Sequence, residues 1–172
     1  MSHCSVKLKQ QRGFTLIEAL VAFLILSVGM LGIASLQTVS LRSGQTAALR
    51  TVAVIKAGEI LERIRANPTQ MNLYAATTGD TGVEGGCNTG VNRCTLADMA
   101  ADDIYTWKQS LTDALPNNAG TTASITVTPP GVGEILTDVT VTINWQERAA
   151  DASDIVSQSY SVTTAICGAL RC

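Results

Sequence analysis

Polar positions almost vanish between Gly13 and Leu41, where GFTLIEALVAFLILSVGMLGIASLQTVSL carries a single charge, Glu18. From Ala19 to Leu41 no side chain ionises. A helix over that stretch is roughly 30 Å long, the thickness of a bilayer's hydrocarbon core. A buried core helix is usually shorter and keeps a polar face, so the pattern predicts a membrane span. Beyond Arg42 polar residues return but the helical period persists. Leu49, Val52, Ala53, Ile60, Leu61 and Ile64 share one face, and Glu59 stands four residues before Arg63. One helix is therefore predicted from about Phe14 to Ala66, apolar in its first half and amphipathic in its second, ended by Asn67-Pro68. Gly29 and Gly32, with Ser27 and Ala34, offer a small-residue surface for close helix packing and leave the helix's straightness open. Gly44 and Gly58 read as further sites of close packing.

Residues 67–94 show no strong period and include TTGDTGVEGGCNTG, which reads as an extended surface loop. Asp80 and Glu84 do not fit an EF-hand calcium pattern. A second helix follows in CTLADMAADDIYTWKQSLTDALP. Thr95 and Asp98 form a capping box, Ala100, Ile104, Trp107, Leu111 and Leu115 share a face, and Pro116 stops it. Trp107 is read as core, and Asp102, Asp103 and Asp113 as the solvated side. Three alternating stretches come last: Ala123, Ile125, Val127; then Val139, Val141, Ile143, Trp145; then Tyr160, Val162, Thr164, Ile166. Pro129-Pro130-Gly131 turns the chain between the first two, and ERAADASD joins the last two as a hairpin loop. The expected fold class is α+β: a long N-terminal helix whose amphipathic half packs on a small antiparallel sheet of three or four strands, plus a second helix.

Charge gives this pattern a direction. The first thirteen residues hold Lys7, Lys9 and Arg12 without an acid, leaving nine basic against fourteen acidic residues in the rest, a net of −5. A basic leader before an apolar span holds the N-terminus in the cytoplasm and sends the body across. An acidic body argues against nucleic acid as a partner, since Arg93, Lys108 and Arg148 make a thin basic set. Of five cysteines, Cys4 lies in the leader and Cys87, Cys94, Cys167 and Cys172 form an even set in the body. Two disulfides in an oxidising compartment are expected. Of three possible connectivities the local loops Cys87–Cys94 and Cys167–Cys172 are favoured. The only histidine, His3, is in the leader, so no metal site is expected, and no cofactor motif is present.

An ordinary signal peptide has its cleavage site after the apolar core, whereas here Gly13 stands before it. Gly13-Phe14 followed by TLIEALVAF, behind a basic leader and with a glutamate five positions after the glycine, resembles the class III signal of type IV prepilins and pseudopilins. In that family a dedicated prepilin peptidase cuts after the glycine and methylates the new N-terminal phenylalanine. The resemblance implies that Gly13 and Phe14 are the processing site. Glu18 has two readings. On the residues alone it is an acid near the interface, reaching toward headgroups; at the centre of a span such a group costs about 2.5–3.5 kcal/mol. The resemblance implies instead that it pairs with the N-terminal amine of a neighbouring subunit and sets register in a filament core. The implied division is a leader over 1–13, a transmembrane and filament-core helix over 14–41 and a periplasmic domain over 42–172.

The later segments EILERIRAN, CTLADMAADDIYTWKQSLTDALP, VTINWQER and YSVTTAIC are similar in order and spacing to the PilV type of minor pilin. That resemblance implies a non-catalytic, low-abundance subunit that primes type IV pilus assembly. Its implied partners are other minor pilins, the major pilin, a tip adhesin and the prepilin peptidase, and its implied places are the inner membrane and then the extracellular pilus tip. A type II secretion pseudopilin shares the N-terminal signal and is the alternative. A signal-anchored periplasmic enzyme is the reading of another class, and the absence of GxSxG, HExxH and Gly-rich phosphate loops speaks against it.

Overall fold

A computed structural model of the chain describes residues 13–87, 93–116, 120–148 and 154–168. The chain divides between Arg42 and Ser43 into two compact units. Helix α1, Leu16–Ala66, runs without a break through both Gly29 and Gly32. In the first unit it opens with Glu18 in its first turn, where the helix dipole favours a carboxylate. Hydroxyl groups along it turn back on the backbone: Ser27 Oγ donates to the Leu24 carbonyl at 2.8 Å and Thr38 Oγ1 to the Ala34 carbonyl at 3.1 Å.

In the second unit the remaining turns of α1 bury Ala53, Ala57, Ile60, Leu61 and Ile64. Helix α2, Leu96–Ala114, lies against them with Ala100, Ile104, Trp107 and Leu111 buried, the face that its spacing predicts. Its capping box forms as predicted. Thr95 Oγ1 accepts the Asp98 N–H at 3.2 Å, and Asp98 Oδ2 accepts the Thr95 N–H at 3.0 Å. Strands β1 (Thr122–Thr128), β2 (Leu136–Arg148) and β3 (Ile155–Cys167) make one antiparallel meander in chain order. Val141 faces Ile125 on one side and Val162 on the other. The central strand takes the deepest burial, with Val139, Val141 and Ile143 fully enclosed. Each such side chain stabilises the fold by about 1.5–3 kcal/mol.

Two expectations need correction here. Residues 67–94 are not all loop: Pro68–Tyr74 forms a 3-10 segment that buries Met71 and Tyr74. Pro68 cannot continue the α-helix but suits the first turn of the tighter one. Gly44 and Gly58 are not close-packing sites either, because a Cβ at each would meet nothing within 4 Å. The small residues that α1 buries are Ala53 and Ala57, both fully enclosed. The ERAADASD loop falls mostly outside the described residues.

Candidate assembly segment and docked loop

Every large apolar side chain from Phe14 to Leu41 is more than half exposed, Phe14 at 83%. Surface of that extent is not left to water; covering it is worth about 1.5–3 kcal/mol per side chain. By length and composition α1 is able to cross a membrane. Gly13, Phe14 and Thr15 immediately precede it, and the Thr15 carbonyl accepts the N–H groups of Glu18 at 3.1 Å and Ala19 at 3.3 Å. Glu18 therefore stands on the first turn of a helix that is otherwise apolar to Leu41. A Cβ at Gly29 or Gly32 would meet open space, so both glycines leave a flat place on that outer surface.

A second candidate feature lies in the other unit. The chain after the 3-10 segment runs back along α2 and is fixed to it at successive levels. At the far level Lys108 Nζ donates to the Thr77 carbonyl at 2.6 Å and also to the Asp80 carbonyl. Asp80 in turn accepts the Thr77 N–H at 2.6 Å and hydroxyl at 2.8 Å, which holds its carboxyl below the ordinary value. Burial pushes the Lys108 ammonium down. Midway, Gly82 has φ +71° and packs so closely that a Cβ there would lie 2.5 Å from the Tyr105 nitrogen. Near the start of α2, Asp102 Oδ1 accepts the N–H groups of Gly85 at 2.8 Å and Gly86 at 3.0 Å. The Cys87–Cys94 disulfide then closes the segment, as the local pairing predicts.

Asp102 and Asp103 are thus not the solvated side of α2. Asp102 is 2% exposed. Asp103 joins α1 and the 3-10 segment to α2: Arg63 Nη1 donates to its Oδ1 at 3.0 Å and the Tyr74 hydroxyl to its Oδ2 at 2.7 Å. Burial and that carboxylate push the Tyr74 hydroxyl well up. Arg63 also pairs with Glu59 at 2.7 Å, the i, i+4 pair expected, and Lys56 reaches Glu59 at 2.9 Å. Partial burial alone would raise the Glu59 carboxyl, but hydrogen bonds and charge from Lys56 and Arg63 outweigh it and hold it low. Trp107 is core, and its indole N–H donates to the Lys56 carbonyl at 2.8 Å. Nothing in the sequence marked Asp102 and Asp103 as anchors, because their partners are distant in sequence: Gly85 and Gly86 on a stretch without a period, and Arg63 and Tyr74 on other elements.

Among the described residues no group of three or more His, Cys, Asp or Glu is placed to hold a metal ion. A shallow cavity of about 190 Å³ between Thr78, Lys108 and Thr122 has a more apolar than polar lining that includes the hydroxyls of five threonines. Two of these are already donated, Thr112 to the Gln109 carbonyl and Thr121 to the Pro116 carbonyl. Lys108, engaged by two carbonyls, is not offered to a phosphate. Cys167 is disulfide-bonded, and its expected partner Cys172 lies outside the described residues.

Residues 8–34 match the prokaryotic N-terminal methylation motif, and residues 35–105 match the family described as type IV pilin Tt1218. The two spans abut, and over residues 8–105 they support a type IV pilin. That family is one of structural subunits, assembled with other pilins and processed by prepilin peptidase. The motif and the apolar helix fit an inner-membrane-anchored pilin. No curated protein and no solved structure matches the chain significantly.

Proposed function

We propose that this pilin is a minor pilin of the PilV type, a non-catalytic subunit that primes type IV pilus assembly in a tip complex with other minor pilins. The observation that carries the reading is the N-terminal methylation motif continuing into a helix that leaves its whole apolar surface uncovered to Leu41. Resemblance of the later segments to the PilV type supports the narrower assignment. On this reading prepilin peptidase cuts between Gly13 and Phe14 and removes 1–13. Residues 14–41 then serve first as the membrane anchor and afterwards as the filament-core helix, while 42–172 form the periplasmic domain. Glu18 meets the N-terminal amine of a neighbouring subunit and fixes axial register, since in apolar surroundings leaving either charge without the other is strongly unfavourable. Major pilin below and a tip adhesin above are the further partners, and Cys167 pairs with Cys172.

Deleting the gene tests the assignment when twitching, surface piliation and protein secretion are scored together. Loss of pili with secretion intact is the expected result. Normal pili with blocked secretion would make the protein a type II secretion pseudopilin instead.

A further inference from the structure

The sheet has two edges, and they are closed to different degrees. On the β1 side Ala76 bridges Ile125, donating its N–H to the Ile125 carbonyl at 2.9 Å and accepting the Ile125 N–H at 2.8 Å. On the β3 side no described residue pairs with the outer edge. Natural edge strands are usually guarded by shortness, charge, proline or a bulge. β3 has none of these guards. It is 13 residues long, reads IVSQSYSVTTAIC without Lys, Arg, Asp, Glu or Pro, and keeps an unbroken register with β2 from Cys167 to Ile155.

Its inner face is also incompletely covered. Tyr160 and Val162 pack against the core but stay half-buried, whereas their β2 neighbours Ile143 and Val141 are fully enclosed. β2 shows which side chains suit this strand. The Thr140 and Thr163 hydroxyls meet at 2.8 Å, those of Thr142 and Ser161 at 3.0 Å, and Val141 and Ile143 stand opposite Val162 and Tyr160. The same four β3 side chains are presented to the free edge, one strand spacing away.

The geometry points to strand addition at this edge: β3 receives an extended, uncharged strand from a different pilus subunit, in which Thr or Ser alternates with β-branched apolar residues. This rests on the reading of the chain as a pilus subunit. Main-chain hydrogen bonds supply the attraction and the alternation supplies the selectivity, since an inward-facing charge would sit beside Tyr160 and Val162. A second copy of this chain fits poorly. Two β3 strands paired antiparallel would turn their Ser43–Ala66 helix turns in opposite directions, which subunits rising from one membrane do not allow. Paired parallel about a twofold axis, they would set the Ser/Thr row of one beside the apolar row of the other.

The test uses the full chain in detergent micelles and a labelled peptide of residues 139–143, with two lysines added outside the strand for solubility. A peptide of the same composition, scrambled to destroy the alternation, is the control. Saturable binding at least about tenfold tighter than the control is expected. Adjacent strand residues aim their N–H groups at opposite edges, so Ser161→Pro and Val162→Pro are compared. Whichever keeps the wild-type melting temperature should lose the peptide at least about tenfold. Equal binding of the scrambled peptide overturns the proposal, as does wild-type binding by a fold-retaining proline variant. If both variants unfold, the scrambled control decides. A dimer of the chain alone, abolished by the same substitution, would assign the edge to a second copy and overturn it as well. Failure here leaves the pilus assignment standing, because that is read from piliation and secretion.

Discussion

Asp102 Oδ1 accepts the Gly85 N–H at 2.8 Å from a side chain that is only 2% exposed. Together with the Gly86 N–H at 3.0 Å, this makes one carboxylate the anchor for the segment leading to Cys87. Asp102→Ala leaves two donors without their acceptor and should cost about 2–4 kcal/mol in chemical unfolding. Asp102→Asn keeps an oxygen in place and should cost clearly less. Equal midpoints for Asp102→Ala and wild type would show that the Lys108 and Gly82 contacts and the disulfide hold the segment without it.

Two glycines should respond with opposite signs. Gly82 combines φ +71° with a would-be Cβ 2.5 Å from the Tyr105 nitrogen, so Gly82→Ala should destabilise by about 2 kcal/mol or more. Gly58 lies inside α1 with open space at its Cβ position, so Gly58→Ala should stabilise by about 0.5–1 kcal/mol. Thermal unfolding of both variants in detergent checks the pair.

Acid should weaken the second unit. Glu59, Asp80 and Asp98 all have folded-state carboxyls held below their ordinary values of 4.5 and 3.8. A depressed carboxyl contributes stability that is fully present above the unfolded value and is lost as the pH falls through the folded one. Melting temperature should therefore be flat from neutral pH to just above those ordinary values and drop below them. Glu59→Gln should flatten part of that drop, and an unchanged acid limb in this variant would count against the Lys56–Glu59–Arg63 set as a contributor.

Glu18→Ala should leave membrane insertion intact and reduce incorporation into pili, measured by fractionating membranes and sheared filaments in parallel. Gly13→Val should instead leave the unprocessed chain in the membrane, visible as a retained leader by mass. Normal incorporation of the Glu18 variant would remove the register role.

What could be read from the sequence was whatever is repetitive or local. The apolar run, the buried face of α2, the Thr95–Asp98 cap and the three alternating strands each declare themselves within a few residues. The Gly13-Phe14 junction and Glu18 are a contiguous motif and equally visible. Asp102 and Asp103 were not, since adjacent acids on a helix look alike until the packing on both sides of α2 is known. One faces the chain segment before Cys87 and the other faces Arg63 and Tyr74. Pro68 correctly marked the end of α1, but a proline that stops one helix type also starts another, and that choice depends on burying Met71 and Tyr74.

The hydroxyls of Ser27 and Thr38 spend their donors on carbonyls of their own helix. At those two positions the helix asks nothing polar of whatever surrounds it, so a change of surroundings exchanges no hydrogen bond there. On the proposed reading, passage from lipid to a sheath of other helices turns at Ser27 and Thr38 on shape, and the Glu18 carboxylate is the charged group that must find a new partner.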